Sequence, residues 1–144
     1  MSDAAASGGV AGAAPVPETG TAWPVGAIDL AAKLAQIREH WRPKVIAALN
    51  GQEVKLARFA GEFPWHRHAQ EDELFLGVAG EFRVEFRDRA ESVVPGRLVV
   101  VPRGVEHRVV AAGEAAALLL EPAATRNTGD VEDARYTAPN GVRI

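Results

Sequence analysis

From Asn50 onward the chain shows no helical period; it breaks instead into short apolar runs separated by Gly, Pro and polar turns, and that punctuation is the strongest constraint on its fold. Asn50-Gly51 is a turn dipeptide, and GQEVKLARFAGEF behind it predicts a first strand in which Val54 and Leu56 alternate against Lys55. Glu73 to Gly80 predicts the next. EFRVEFR alternates cleanly, with Phe82, Val84 and Phe86 on one face and Glu81, Arg83, Glu85 and Arg87 on the other, before a polar turn at Asp88-Arg89. Leu98 to Val101 is apolar on both faces and reads as a central strand, and HRVVA and AAALLLEP supply two more. Many short strands with close turns imply an all-β antiparallel barrel or jelly roll.

Three of the four histidines fall within two of these strand-and-turn segments. In GEFPWHRHAQEDELFLGVAG, His66 and His68 stand two apart and Glu73 follows five residues later; in GRLVVVPRGVEH, His107 closes a run punctuated by Gly96, Pro102 and Gly104. Residues i and i+2 of a strand point to the same side, so His66 and His68 can converge inside a barrel, and barrel closure can bring His107 to them. Imidazoles with a carboxylate suit a divalent transition metal. Glu71, Asp72 and Glu73 are all acidic, so the residues alone leave Asp72 open beside Glu73 as the carboxylate. Pro102 and Gly104 shape the turn that presents His107.

The remaining sequence bounds the function. At 144 residues the chain has room for one domain with a sizeable core. It has no cysteine, so any metal is held by His and carboxylate. A net charge of −3 leaves no basic surplus for phosphates, which argues against a nucleic-acid partner and for a small-molecule ligand. The first 25 residues, rich in Ala, Gly and Pro, predict a disordered tail without the basic and apolar regions of a secretory signal, and no apolar stretch spans a bilayer, so a cytoplasmic protein is expected. Leu30, Leu34, Ile37 and Trp41 recur at helical spacing, with Asp29 placed as the amino-terminal cap and Pro43 as the stop. His40 lies in that segment with no partner ligand nearby and is assigned a surface or packing role. The turn-rich stretch after Pro122 is expected to run over the barrel or across a neighbouring subunit.

The two histidine segments resemble the paired motifs of the cupin superfamily. Gly61, four residues, His66-x-His68, four residues, Glu73, six residues and Gly80 is similar to the first motif, with one residue fewer than usual between Gly61 and His66. Gly96, five residues, Pro102-x-Gly104, two residues and His107 is similar to the second, with Ala111 where Asn is often found. With AAKLAQIREHW, FRDR and EPAATRNTGDV, the chain also resembles the small single-domain bacterial cupins labelled mannose-6-phosphate isomerase-like.

That resemblance implies a cupin β-barrel (a double-stranded β-helix or jelly roll) with a short amino-terminal helix, as one domain over residues 26–144. It implies His66, His68, Glu73 and His107 as ligands of one divalent metal per subunit, whether Fe, Mn, Zn, Ni or Cu, and a homodimer. The function expected is a metal-dependent enzyme of isomerase or dioxygenase type acting on a small polar metabolite, such as a sugar derivative or a carboxylate. The alternative is a non-catalytic binding or sensor module on the same barrel. Trp65, Phe75 and Phe82 are candidates for the pocket wall or for plain core, and Arg58 either pairs with an anionic substrate group through its planar fork or lies exposed on its strand.

Overall fold

Asn50 and Gly51 both take left-handed backbone, φ 51° and 75°, as a two-residue type I′ hairpin turn demands. They fold Lys44–Leu49 (β1) back on Gln52–Glu62 (β2), with Leu49 opposite Gln52. The six residues after the Pro43 stop, which carry no turn signal, are thus strand. The structure is a computed structural model that describes residues 23–144. The tail expected over residues 1–25 lies outside the described residues up to residue 22. Of its last members, Trp23 has the Arg143 guanidinium 3.8 Å from its ring centroid.

Five more strands complete the fold: Glu73–Ala79 (β3), Phe82–Phe86 (β4), Ala90–Val93 (β5), Leu98–Val101 (β6) and His107–Pro122 (β7). All pair antiparallel, in the order β1-β2-β7-β3-β6, with β4 bridging β7 and β5. HRVVA and AAALLLEP prove to be one strand, β7. Its first residues pair with β4 and its last with β2 and β3, so it belongs to both sides of the barrel. Between Gly61↔Ala111 and Phe59↔Ala115 the register jumps, leaving residues 112–114 opposite Ala60 alone. Such a bulge bends a strand from one side of a barrel to the other. This all-β barrel with a short helix is the cupin architecture expected.

The helix is shorter than its apolar spacing predicts. It spans Leu30–Ala35 (α1), with the Asp29 carboxylate accepting from the Ala32 N–H, and Gln36 already ends it. The Arg58 guanidinium braces this end, donating to the Leu34 and Ile37 carbonyls at 2.7 and 2.5 Å, beside the Ile37 N–H that also donates to Leu34 O. Trp41, expected on the helix, instead has φ 62° and lies inside the barrel, stacked 4.9 Å from both Phe59 and Phe63. No helix among the described residues is long and apolar enough to cross a membrane.

Phe59, Phe63, Phe75, Phe82 and Val84 fill the barrel, while Leu34 and Ile37 pack on the outside of the sheet against Leu56 and Ala116. The alternation on β2 resolves with Lys55 facing inward, 4% exposed, and Val54 and Leu56 on the outer side with Leu34 and Ile37. One sequence expectation needs correction here. Leu98–Val101 is an edge strand pairing only with β3, and its outer residues Leu98 and Val100 are 56% and 50% exposed.

Candidate metal centre

His66 and His107 face each other across an isolated antiparallel bridge, with His66 N–H donating to His107 O at 3.0 Å and His107 N–H to His66 O at 2.9 Å. Strand parity turns both rings inward, and the carbonyl two residues upstream then fixes each one. His66 Nδ1 lies 2.8 Å from Pro64 O and His107 Nδ1 lies 2.9 Å from Val105 O. A carbonyl only accepts, so both Nδ1 atoms carry the proton and both Nε2 atoms present a lone pair to the interior. His68, on the same side of the segment as His66, adds a third ring; the three centroids are 4.4 to 5.7 Å apart.

Glu73, the first residue of β3, supplies the carboxylate. Its Oε1 is 3.4 Å from His107 Nε2 and 3.6 Å from His68 Nε2. One ligand atom from each of His66, His68, Glu73 and His107 falls within 4.8 Å of the others, and all four residues are buried. His68 Nε2, His107 Nε2 and Glu73 Oε1 are buried and have no hydrogen-bond partner among the described residues. Orphaned buried polar atoms are costly, and three of them aimed at one point fit a shared cation as their missing partner. The nitrogen and oxygen donors suit a divalent transition ion. Asp72 does not compete: it is exposed and accepts from the Arg103 N–H at 2.8 Å, tying the loop before β3 to the Pro102–Gly104 turn. Gly104 N–H in turn donates to His68 O at 2.7 Å.

The electrostatics suit a cation. Burial foremost, and next the neighbouring His107, lower the His66 pKa from 6.5 to about 4, so the ring is neutral at pH 7. Burial would raise the Glu73 carboxyl, but the neighbouring Glu121, His107 and His68 side chains together hold it well below the usual range. Glu121 moves the other way, pushed well up by burial and then by the Glu73 charge, with Lys55 opposing.

Beside the cluster lies a cavity of about 30 Å³, room for one or two water-sized groups. Phe59, Phe63, Phe75 and Leu119 give it apolar walls, and Glu73, Glu121, His66 and Asn127 give it polar points. Of the sequence candidates for a pocket wall, Phe75 lines the cavity. Phe82 sits a ring further into the core, edge-on to Phe59 at 5.2 Å. Trp65 points away from the histidines, next to His66 on the strand, with the Arg87 guanidinium 3.9 Å from its ring centroid. Arg58 is on the outer face, spent on α1. His40 is also remote from the cluster and bonds Glu114 Oε1 at 2.7 Å.

Sequence reasoning missed Trp41, Lys55, Glu121 and Asn127. Lys55 shares strand parity with the core residues Ala57 and Phe59, and Glu121 with Ala117 and Leu119, so parity counted from those anchors would have placed both inside. Asn127 carried no signal. It binds the Trp41 and Tyr136 carbonyls and accepts from Ala138 N–H, and so pins the carboxyl-terminal segment onto the barrel. Within that segment Gly129 packs on the segment's most sensitive neighbour: a Cβ there would lie 2.2 Å from Arg67 O and 3.1 Å from His66 Cδ2.

Comparison with known proteins matches residues 52–121 to the cupin domain family. The chain is 33% identical over 81 residues to the uncharacterized protein YdbB of Bacillus subtilis (strain 168), covering 56% of this chain and 72% of that one. Among solved structures, it is similar to a cupin-2 domain containing protein from Shewanella frigidimarina NCIMB 400, at 38% identity and a TM-score of 0.65, covering 66% of this chain and 93% of that one. Protein NMB1881 from Neisseria meningitidis is similar at 30% identity and a TM-score of 0.63, with 68% and 100% covered.

Proposed function

Given that the chain belongs to the cupin domain family, we propose that its buried cluster binds one divalent transition metal, with His66, His68, Glu73 and His107 as ligands, and that the adjoining cavity presents a small molecule to it. The observation that carries this reading is the set of three partnerless buried atoms, His68 Nε2, His107 Nε2 and Glu73 Oε1, that face one another. When bound, such an ion supplies a Lewis-acid centre, and an iron would add redox chemistry. The residues of the chain do the rest: Pro64 and Val105 carbonyls hold the tautomers, and Phe59, Phe63 and Phe75 give the adjoining cavity an apolar wall.

The lining also narrows the ligand. Among the described residues no Lys or Arg lines the cavity, so a phosphorylated sugar finds no cation there, and a compact ligand with few polar atoms fits better. An isomerase needs a protein acid or base within reach of its substrate. Both lining carboxylates are engaged, Glu73 with the histidines and Glu121 with Lys55. A dioxygenase-type reaction makes no such demand and is the better fit of the two. The same shortage of a free acid or base is what favours the second reading, a binding or sensor module without turnover.

Thermal unfolding of chelator-treated protein with Fe(II), Mn(II), Zn(II), Ni(II) or Cu(II) tests the metal reading, because a ligand of the native state raises Tm. The expected result is a rise with at least one ion that is lost in Glu73→Ala and kept in Asp72→Ala. No rise with any ion refutes the reading. Turnover or its absence in the metal-loaded protein then separates enzyme from sensor.

A further inference from the structure

The pairing of β3 with β7 sets Leu74 opposite Leu120 and Phe75 opposite Leu119. One step further along the same ladder brings Glu73 to Glu121. Both side chains point inward, 3% and 1% exposed. Two carboxylates opposed across a ladder and cut off from water repel one another unless something compensates them. Lys55 does so, reaching from β2 to place Nζ 2.8 Å from Glu121 Oε1, with 5% of its side chain exposed. Among the described residues nothing donates to the buried Glu121 Oε2, and Glu121 lines the same cavity as Glu73. Glu73 Oε1 faces the histidine nitrogens, so Glu121 flanks that carboxylate from the neighbouring strand.

From this we infer that Glu121, clamped by Lys55, is a positioning residue that holds the Glu73 carboxylate in orientation toward His68 and His107. The inference rests on the proposed metal site. Glu121 is neither a ligand nor a catalytic residue in it; it acts through Glu73, as the hydrogen-bonded supports of ligating carboxylates do. Without the clamp, the Glu73 side chain is free to swing into the cavity it shares with Glu121. With it, the ligand is set before an ion arrives. Lys55 is accordingly spoken for, and does not offer a cationic subsite to a bound molecule.

Cobalt(II) is the probe, since its visible absorption reports coordination geometry directly. In Glu121→Gln the amide oxygen still accepts from Lys55 and its N–H is able to donate to Glu73, so the expected affinity stays within about threefold of the parent with an unchanged spectrum. Lys55→Met combined with Glu121→Leu removes the pair as a neutral unit, a replacement buried ion pairs tolerate. The expected result is about 10- to 100-fold weaker cobalt binding and an altered absorption spectrum at saturation, which mere loss of packing would not produce. Lys55→Met alone, with Glu121 present but unclamped, is expected to shift in the same direction and carries the test where the double variant does not fold. Parent-like affinity and spectrum in the unclamped variants overturn the inference while leaving the metal site standing. Equal weakening in Glu121→Gln overturns it too, because that variant keeps the Lys55 hydrogen bond and a polar group of the same shape beside Glu73. A parent that takes up no cobalt overturns the metal reading and this inference together.

Discussion

Gly129→Ala should injure the metal centre from outside it, by an amount the structure lets one work out. Gly129 has φ 56°, left-handed backbone in which a Cβ costs about 1 kcal/mol or more. The added methyl would also meet Arg67 O at 2.2 Å, far inside ordinary contact, so one segment must retreat by about 1 Å. That retreat acts on two hydrogen bonds, Asp130 N–H to Arg67 O at 2.9 Å and Arg67 N–H to Asp130 Oδ1 at 3.0 Å, each worth about 1 kcal/mol. The expected loss is about 3 kcal/mol. Gly141→Ala is the control, with φ 70° and nothing within 4 Å of its Cβ, and should cost about 1 kcal/mol. Urea unfolding of chelator-treated protein measures both. Since His66 Cδ2 is the next atom the methyl meets, at 3.1 Å, only Gly129→Ala should also weaken metal binding. Equal destabilisation by the two substitutions, or intact metal affinity in Gly129→Ala, would refute the reasoning.

Three further outcomes follow from the same contacts. His66 has a pKa lowered from 6.5 to about 4, so the unfolded chain takes up its proton first as pH falls; metal-free protein should lose about 3 kcal/mol between pH 7 and pH 4 through this group, and His66→Gln should flatten that slope in urea titrations. Arg58→Ala removes the guanidinium from the Leu34 and Ile37 carbonyls and should cost about 2 kcal/mol while leaving metal content unchanged, whereas a ligand-binding role would show in ligand affinity. Finally, Leu74, Leu76, Leu118 and Leu120 continue the aliphatic outer face that begins with the exposed Leu98 and Val100, and we propose that two copies of the chain pair through this face; light scattering should then show a dimer that Leu98→Lys with Val100→Lys turns into a monomer, and a monomeric parent would contradict it.

The alternation in EFRVEFR was readable because one of its faces is charged, so parity alone assigned Phe82, Val84 and Phe86 to the core. The histidine spacing was readable for a similar reason: His66-x-His68 needs only strand parity to converge. Parity failed where both faces are apolar. On β2, Val54 and Leu56 lie under the helix side of the sheet, and nothing local tells that face from the barrel interior, so the alternation against Lys55 carries no direction. On β6, apolarity on both sides suggested a central strand, while the structure leaves one side half-exposed. Trp41 fitted the helical period by accident; the helix ends at Gln36, and the Trp41 N–H instead donates to the carbonyl of Arg58, seventeen residues later. Glu121 was hidden by distance, since only barrel closure sets it beside Glu73.

The central claim is that His66, His68, Glu73 and His107 hold one metal ion, and metal content by inductively coupled plasma mass spectrometry tests it most directly. Untagged parent protein should carry about one equivalent of a divalent transition metal, as purified or after reconstitution, and the His66→Ala, His107→Ala variant should carry none. A parent that stays metal-free after reconstitution, or a variant that keeps the parent's metal, would contradict the account.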